Sequence, residues 1–173
     1  LFTNGYLIDE HAIQVFKEYP PLLVDVSLYG ASELTYQKIT GVSGAFEKVV
    51  GNCVDLKKAG VRVSLKSPIM NKTLPELENM KQLAEKIGVP FVYTFEITPT
   101  IDRNESPRSY QVPLEVALKY EFKNYYDQIR RGERNDISNY NEIMETLLTR
   151  DGVYFCNVAL NSFVIDYQGR MCP

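Results

Sequence analysis

Cysteine is scarce: three residues in 173, at positions 53, 156 and 172, too few and too scattered for the disulfide framework of a small secreted domain. No apolar run approaches the roughly eighteen residues needed to cross a bilayer, and the N-terminus lacks the basic-then-apolar layout of a secretory signal. Neither sign of charge dominates. Nineteen Lys and Arg stand against 22 Asp and Glu, a net charge of −3, and the acidic residues are spread rather than blocked. That balance gives no electrostatic footprint for nucleic acid. The one histidine, His11, falls on an exposed-looking helix and reads as solvated. These absences leave a soluble, cytoplasmic protein with neither a membrane nor a nucleic-acid partner. Its 45% hydrophobic content is enough for one core. Leu1 opens inside an apolar segment without an initiator methionine, and Pro173 follows a cysteine without a tail, so the chain reads as an excised piece of a longer one.

What is present is a repeated alternation of strands and helices. Leu1-Phe2 followed by Thr3-Asn4-Gly5 reads as a strand leaving into a turn. Asp9 can cap a helix to about Glu18, which Pro20-Pro21 stops. Leu22 to Leu28 is a short apolar run of the kind found in buried strands. From Ser43 to Ala59 apolar residues recur at three-and-four spacing, with Gly60 as the cap, and Val61 to Lys66 is the next strand. Leu74 to Ile87, closed by Gly88, repeats the helix, and Val89 to Ile97 repeats the strand. Two strand-helix-strand units in series predict parallel pairing with right-handed crossovers. Thr100 to Pro113 reads as an exposed loop, Leu114 to Arg131 and Ile137 to Arg150 as helices, and Tyr154 to Cys156 with Ser162 to Asp166 as extended segments before a turn at Tyr167-Gln168-Gly169.

Several side chains stand out on chemical grounds. Ser27 ends its strand; its hydroxyl can hold a ligand or satisfy a backbone group. Ser64 and Lys66 alternate along one strand and so share a face, and a lysine there needs an anion or water. Thr94, Glu96 and Thr98 share a face by the same rule, with Glu96 a candidate structural partner for Lys66. Asn71 follows in a loop. Thr3 and Asn4 form either a ligand-facing turn or simply a good turn before Gly5. Cys53 repeats with Val49, Val50 and Leu56 on an apolar helix face and reads as a buried free thiol.

The segments Thr3-Asn4-Gly5, Val26-Ser27-Leu28-Tyr29-Gly30-Ala31, Tyr36-Gln37-Lys38-Ile39-Thr40-Gly41 and Phe46 with its helix closely resemble, in order and spacing, consecutive segments of radical S-adenosylmethionine (radical SAM) enzymes. The resemblance covers about the first hundred residues well and the next fifty loosely. It implies an α/β fold whose parallel sheet forms part of a (β/α)6 barrel, with Leu1-Phe2 at the end of strand three and the later strands as four to six. Cys156, Ser162 to Asp166, Tyr167-Gln168-Gly169 and Cys172-Pro173 are similar to the opening of a SPASM extension, which binds auxiliary iron–sulfur clusters. The implied division is barrel over 1–113, helical linker over 114–152 and the start of SPASM over 153–173.

The resemblance also implies roles. Ser27, Ser64, Lys66, Thr98 and Asn4 match the S-adenosylmethionine side of the barrel, Thr3 the substrate side, and Cys156 and Cys172 cluster ligands; at Thr98 some relatives carry methionine instead. The cofactors implied for the intact protein are S-adenosylmethionine and [4Fe–4S] clusters. The partners implied are a peptide or protein substrate and a reductant such as flavodoxin or ferredoxin. This sequence contains no Cys-x3-Cys-x2-Cys spacing, so by itself it is expected to be silent and to bind neither cofactor. A sheet edge lacking its neighbour is also expected to promote self-association. Two rival readings stand beside this one: a Schiff-base aldolase using Lys66 as nucleophile, and a non-catalytic α/β binding module.

Overall fold

The computed structural model describes residues 1–98 and 104–132, together with two short strands beyond them. Four strands, β1 (Phe2–Thr3), β2 (Val24–Ser27), β3 (Val63–Pro68) and β4 (Phe91–Thr94), form one sheet in the order β1-β2-β3-β4. Every neighbouring pair is parallel. Sequential order with parallel pairing requires each connection to cross one face of the sheet, and helices α1 (Glu10–Glu18), α2 (Glu33–Thr40), α3 (Ala45–Lys58) and α4 (Leu77–Ile87) lie in those connections. This is the α/β architecture expected from the alternation in the sequence.

The helix ends follow local chemistry. Asp9 caps α1 by accepting from the Ala12 amide at 2.8 Å, as its position before the helix predicts. Gly88 closes α4 in the left-handed region at φ 74°. Helix α2 lies in a stretch for which the apolar pattern predicts no element. It is only eight residues long, but Ser32 accepts from the Thr35 amide at its start and Gly41 closes it at φ 74°. Helix α3 starts at Ala45 rather than Ser43, behind Gly44, and the Glu33 carboxylate on α2 accepts from the Gly44 and Phe46 amides in place of a local cap.

The core lies between the helices and one face of the sheet. Val24, Val26, Leu65, Val49, Cys53, Leu56, Leu77 and Met80 are almost fully buried there. Cys53 is thus the buried thiol that its helix position implies, and burial pushes its pKa up to about 12. Gly5 is a position where glycine is required: at φ 72°, an added Cβ would stand 2.7 Å from Cγ1 of buried Val26.

Beyond β4 a short 3-10 turn spans Ser106–Tyr110 within the expected loop, and Met70 bridges to Gln111. Asn71 holds this turn from both its groups, the amide donating to Tyr110 O at 2.8 Å and Nδ2 to Ser109 O at 3.1 Å. Helix α5 (Leu114–Arg130) follows the expected range closely. The chain divides into two compact units, Leu1–Phe122 and Lys123–Pro173. In the second, β5 (Val164–Ile165) and β6 (Met171–Cys172) pair antiparallel, β5 lying within the expected extended segment Ser162 to Asp166. The expected helix Ile137 to Arg150 and the extended segment at Tyr154 to Cys156 lie outside the described residues.

Candidate functional site

Register decides which side chains meet. Val24, Val26 and Leu65 point into the helix-covered core, so the residues alternating with them line the opposite face. Asp25 is paired with Ser64 and Ser27 with Lys66, placing all four on that second face, and Val92 beside Lys66 and Thr94 beside Pro68 extend it across β4. Phe2 belongs to the same face through its pairing with Asp25. In a barrel this is the inner wall, and its rim at the strand ends is where converging loops leave room for a ligand.

Ser27 and Lys66 are direct cross-strand neighbours at the C-terminal half of the sheet, on strands that run about 4.8 Å apart. Lys66 is half-buried, and its Nζ stands 4.9 Å from the centroid of the Phe2 ring. The expected ion pair between Lys66 and Glu96 does not form. Strand β4 ends at Thr94, whose Oγ1 accepts from the Glu96 amide at 3.1 Å and turns the chain away, so Glu96 and Thr98 no longer alternate along a strand. None of the ion pairs among the described residues involves either Lys66 or Glu96. Ser64 is only 3% exposed, and its hydroxyl has no hydrogen-bond partner among the described residues. A buried hydroxyl without a partner is costly unless something polar meets it.

Thr98 is exposed, four residues past the end of β4. Thr3 pairs with Val26, which puts it on the helix-covered side, and its Oγ1 accepts from the Gly5 amide at 3.1 Å. Asn4 Oδ1 accepts from the Tyr6 amide at 3.1 Å. Both side chains make hydrogen bonds within the turn around Gly5.

Two residues that no single-strand pattern picks out support the Ser27 end of the site. Tyr36, 2% exposed, donates its phenolic hydroxyl to the Ser27 carbonyl oxygen at 3.1 Å, and burial holds its pKa well above the ordinary tyrosine value. Glu76, just before α4, accepts from the Ala31 amide, the Ser32 hydroxyl and the Thr35 hydroxyl, each at 2.6 Å. Burial alone would push this carboxyl upward, but the hydrogen bonds from Ser32, Thr35 and Ala31 outweigh it and hold the pKa below the usual glutamate value. Glu76 is 44 residues from Ser32, so only the folded chain brings them together.

The Ser64 hydroxyl, unpartnered among the described residues, and the Lys66 ammonium, which meets the Phe2 ring but makes no ion pair among them, fit a polar, anionic ligand on this wall. A metal centre has no comparable support: among the described residues no group of three His, Cys, Asp or Glu side chains could hold a metal ion. Cys53 is sealed in the core, Cys156 lies outside the described residues, and Cys172 stands opposite Val164 in the hairpin. No helix among the described residues is long and apolar enough to cross a membrane.

No family model matches the chain. The AdoMet-dependent heme synthase of Methanosarcina barkeri is 22% identical over 153 residues, covering 88% of this chain and 44% of that protein. The AdoMet-dependent heme synthase of Oleidesulfovibrio alaskensis is 25% identical over 181 residues, covering 99% of this chain and 44% of that protein. The chain thus spans less than half the length of these curated relatives. Among solved structures, native anSMEcpe with bound AdoMet superposes with a TM-score of 0.55 at 21% identity, over 86% of this chain and 41% of that one. The same protein has also been solved with a bound Cp18Cys peptide. At low identity the chain is similar to radical SAM enzymes, and its parallel four-stranded sheet matches part of the fold of the AdoMet-bound structure.

Proposed function

We propose that the protein carrying this chain is a cytoplasmic radical SAM enzyme with a SPASM extension, and that residues 1–113 form the cofactor-side wall of its barrel. The observation that carries this reading is the Ser27–Lys66 pair on the inner face, with the unpartnered Ser64 hydroxyl two residues below Lys66. A reduced [4Fe–4S] cluster with S-adenosylmethionine bound would supply radical chemistry for hydrogen abstraction. This chain's own residues bind and orient: Lys66 offers a cation to the carboxylate of S-adenosylmethionine, and Ser27 and Ser64 offer hydroxyls that can donate or accept. Cys156 and Cys172 are assigned to an auxiliary cluster, and a flavodoxin or ferredoxin to the supply of electrons.

The proposed substrate is a peptide or protein side chain, a reading supported by the peptide bound to a fold neighbour. A porphyrin-type substrate is the second reading, favoured by the heme synthases, whose likeness extends over 88% and 99% of the chain. Incubating the reconstituted, cluster-loaded protein with a peptide library and, separately, with a metalloporphyrin decides between them. Turnover coupled to 5′-deoxyadenosine release with only one class of substrate identifies that class. The chain of residues 1–173 alone is expected to leave S-adenosylmethionine intact. Trapping of Lys66 by borohydride with a carbonyl compound would instead support the aldolase reading.

A further inference from the structure

We propose that Glu76 is a positioning residue for this site, holding the segment that leaves β2 after Ser27 against the segment that leaves β3 after Lys66. The proposal rests on the S-adenosylmethionine reading above and deepens it.

The two candidate ligand-binding residues sit side by side in register, but their strands end in different loops. Rim geometry therefore depends on what joins those loops. Glu76 does so through both carboxylate oxygens. Oε2 accepts from the Ala31 amide, four residues past Ser27, while Oε1 accepts from the hydroxyls of Ser32 and Thr35. Ser32 is the N-cap of α2, so the same contact fixes where that helix begins. Helix α2 in turn carries Tyr36, whose hydroxyl holds the Ser27 carbonyl. The chain of contacts from Glu76 to the Ser27 backbone is continuous.

The joint is closely packed around a backbone that only glycine adopts easily. Gly30 has φ 154°, and a Cβ there would stand 2.9 Å from Thr35 Cγ2 and 3.1 Å from Glu76 Oε2. On the β3 side, Thr73 is fully buried and its Oγ1 accepts from the Met70 amide at 2.9 Å, fixing the turn that leads to Glu76. Three donors converge on one carboxylate. A glutamine could keep the Ala31 contact through its oxygen and turn its NH2 toward the Ser32 and Thr35 hydroxyls, which would then have to accept instead of donate, and it would lose the charge that strengthens all three bonds. Charge, not merely length, is what the site calls for.

The test compares wild type, Glu76→Gln and Thr35→Val, the last removing one of the three donors without touching the charge. Hydrogen exchange at the Ala31 amide, measured in the full chain without cofactor, is expected to accelerate about tenfold in Glu76→Gln. In the cluster-loaded enzyme, KM for S-adenosylmethionine is expected to rise about tenfold while kcat stays within about twofold, because the lost interaction acts on binding rather than on the reacting atoms. Thr35→Val should move both readouts the same way and less. Faster Ala31 exchange with an unchanged KM in both variants would overturn the positioning role while leaving the S-adenosylmethionine reading intact. Unchanged exchange would overturn it outright. If wild type itself failed to consume S-adenosylmethionine, that reading would fall and the positioning role with it, whatever the exchange showed.

Discussion

Tyr36 on α2 donates its buried hydroxyl to the carbonyl oxygen of Ser27, the last residue of β2, at 3.1 Å. A helix that the apolar pattern does not announce thereby supports the strand end on which the functional reading depends. Tyr36 also meets Tyr29 edge-on and Phe46 at a tilt, with ring centroids 5.9 and 5.8 Å apart, so the ring is held independently of its hydroxyl. Replacing Tyr36 by Phe keeps the ring and removes the donor. The expected loss is about 1 kcal/mol of stability, read as a lower urea midpoint at unchanged slope.

The Gly5 turn predicts a sharper contrast. Gly5→Ala would force a Cβ to within 2.7 Å of Val26 Cγ1 at a positive φ, and is expected to cost about 2–4 kcal/mol. Gly41 has nearly the same φ, 74°, with nothing within 4 Å of an added Cβ, so Gly41→Ala should cost only about 1 kcal/mol. Thermal unfolding of the two variants side by side separates backbone strain from overpacking.

Much of this fold is readable from residue order. Strand-helix alternation, the Asp9 cap, the Gly88 stop and the buried face of α3 all follow from local periodicity, because each is a contact within a few residues. The site is only partly readable. The alternation of Ser64 with Lys66 gives their common face, but their pairing with Asp25 and Ser27 needs the register between strands. Glu33 and Glu76 illustrate the limit: each caps or clamps a distant element, and nothing in the sequence beside them marks them for it. Thr94 shows the reverse failure, where a hydroxyl turn ends a strand that the β-rich sequence would continue to Ile97.

Acid should act through Glu76. Its carboxyl is held below the ordinary value of 4.5 in the folded chain. Its contribution to stability is therefore fully present above that ordinary value and is lost as pH falls through the lower folded value. Urea unfolding from pH 6 down to pH 2 should show wild type losing more stability than Glu76→Gln over that window. Parallel curves would contradict the clamp.

The central claim is that this sheet is the cofactor-side wall of a radical SAM enzyme. Its most direct test is anaerobic reconstitution of the whole protein with iron and sulfide, reduction in the presence of S-adenosylmethionine, and measurement of 5′-deoxyadenosine, for wild type and for Ser27→Ala and Lys66→Ala. The account predicts 5′-deoxyadenosine from wild type, with KM for S-adenosylmethionine raised about tenfold or more in both variants. No 5′-deoxyadenosine from a cluster-loaded wild type, or an unchanged KM in both variants, would contradict it.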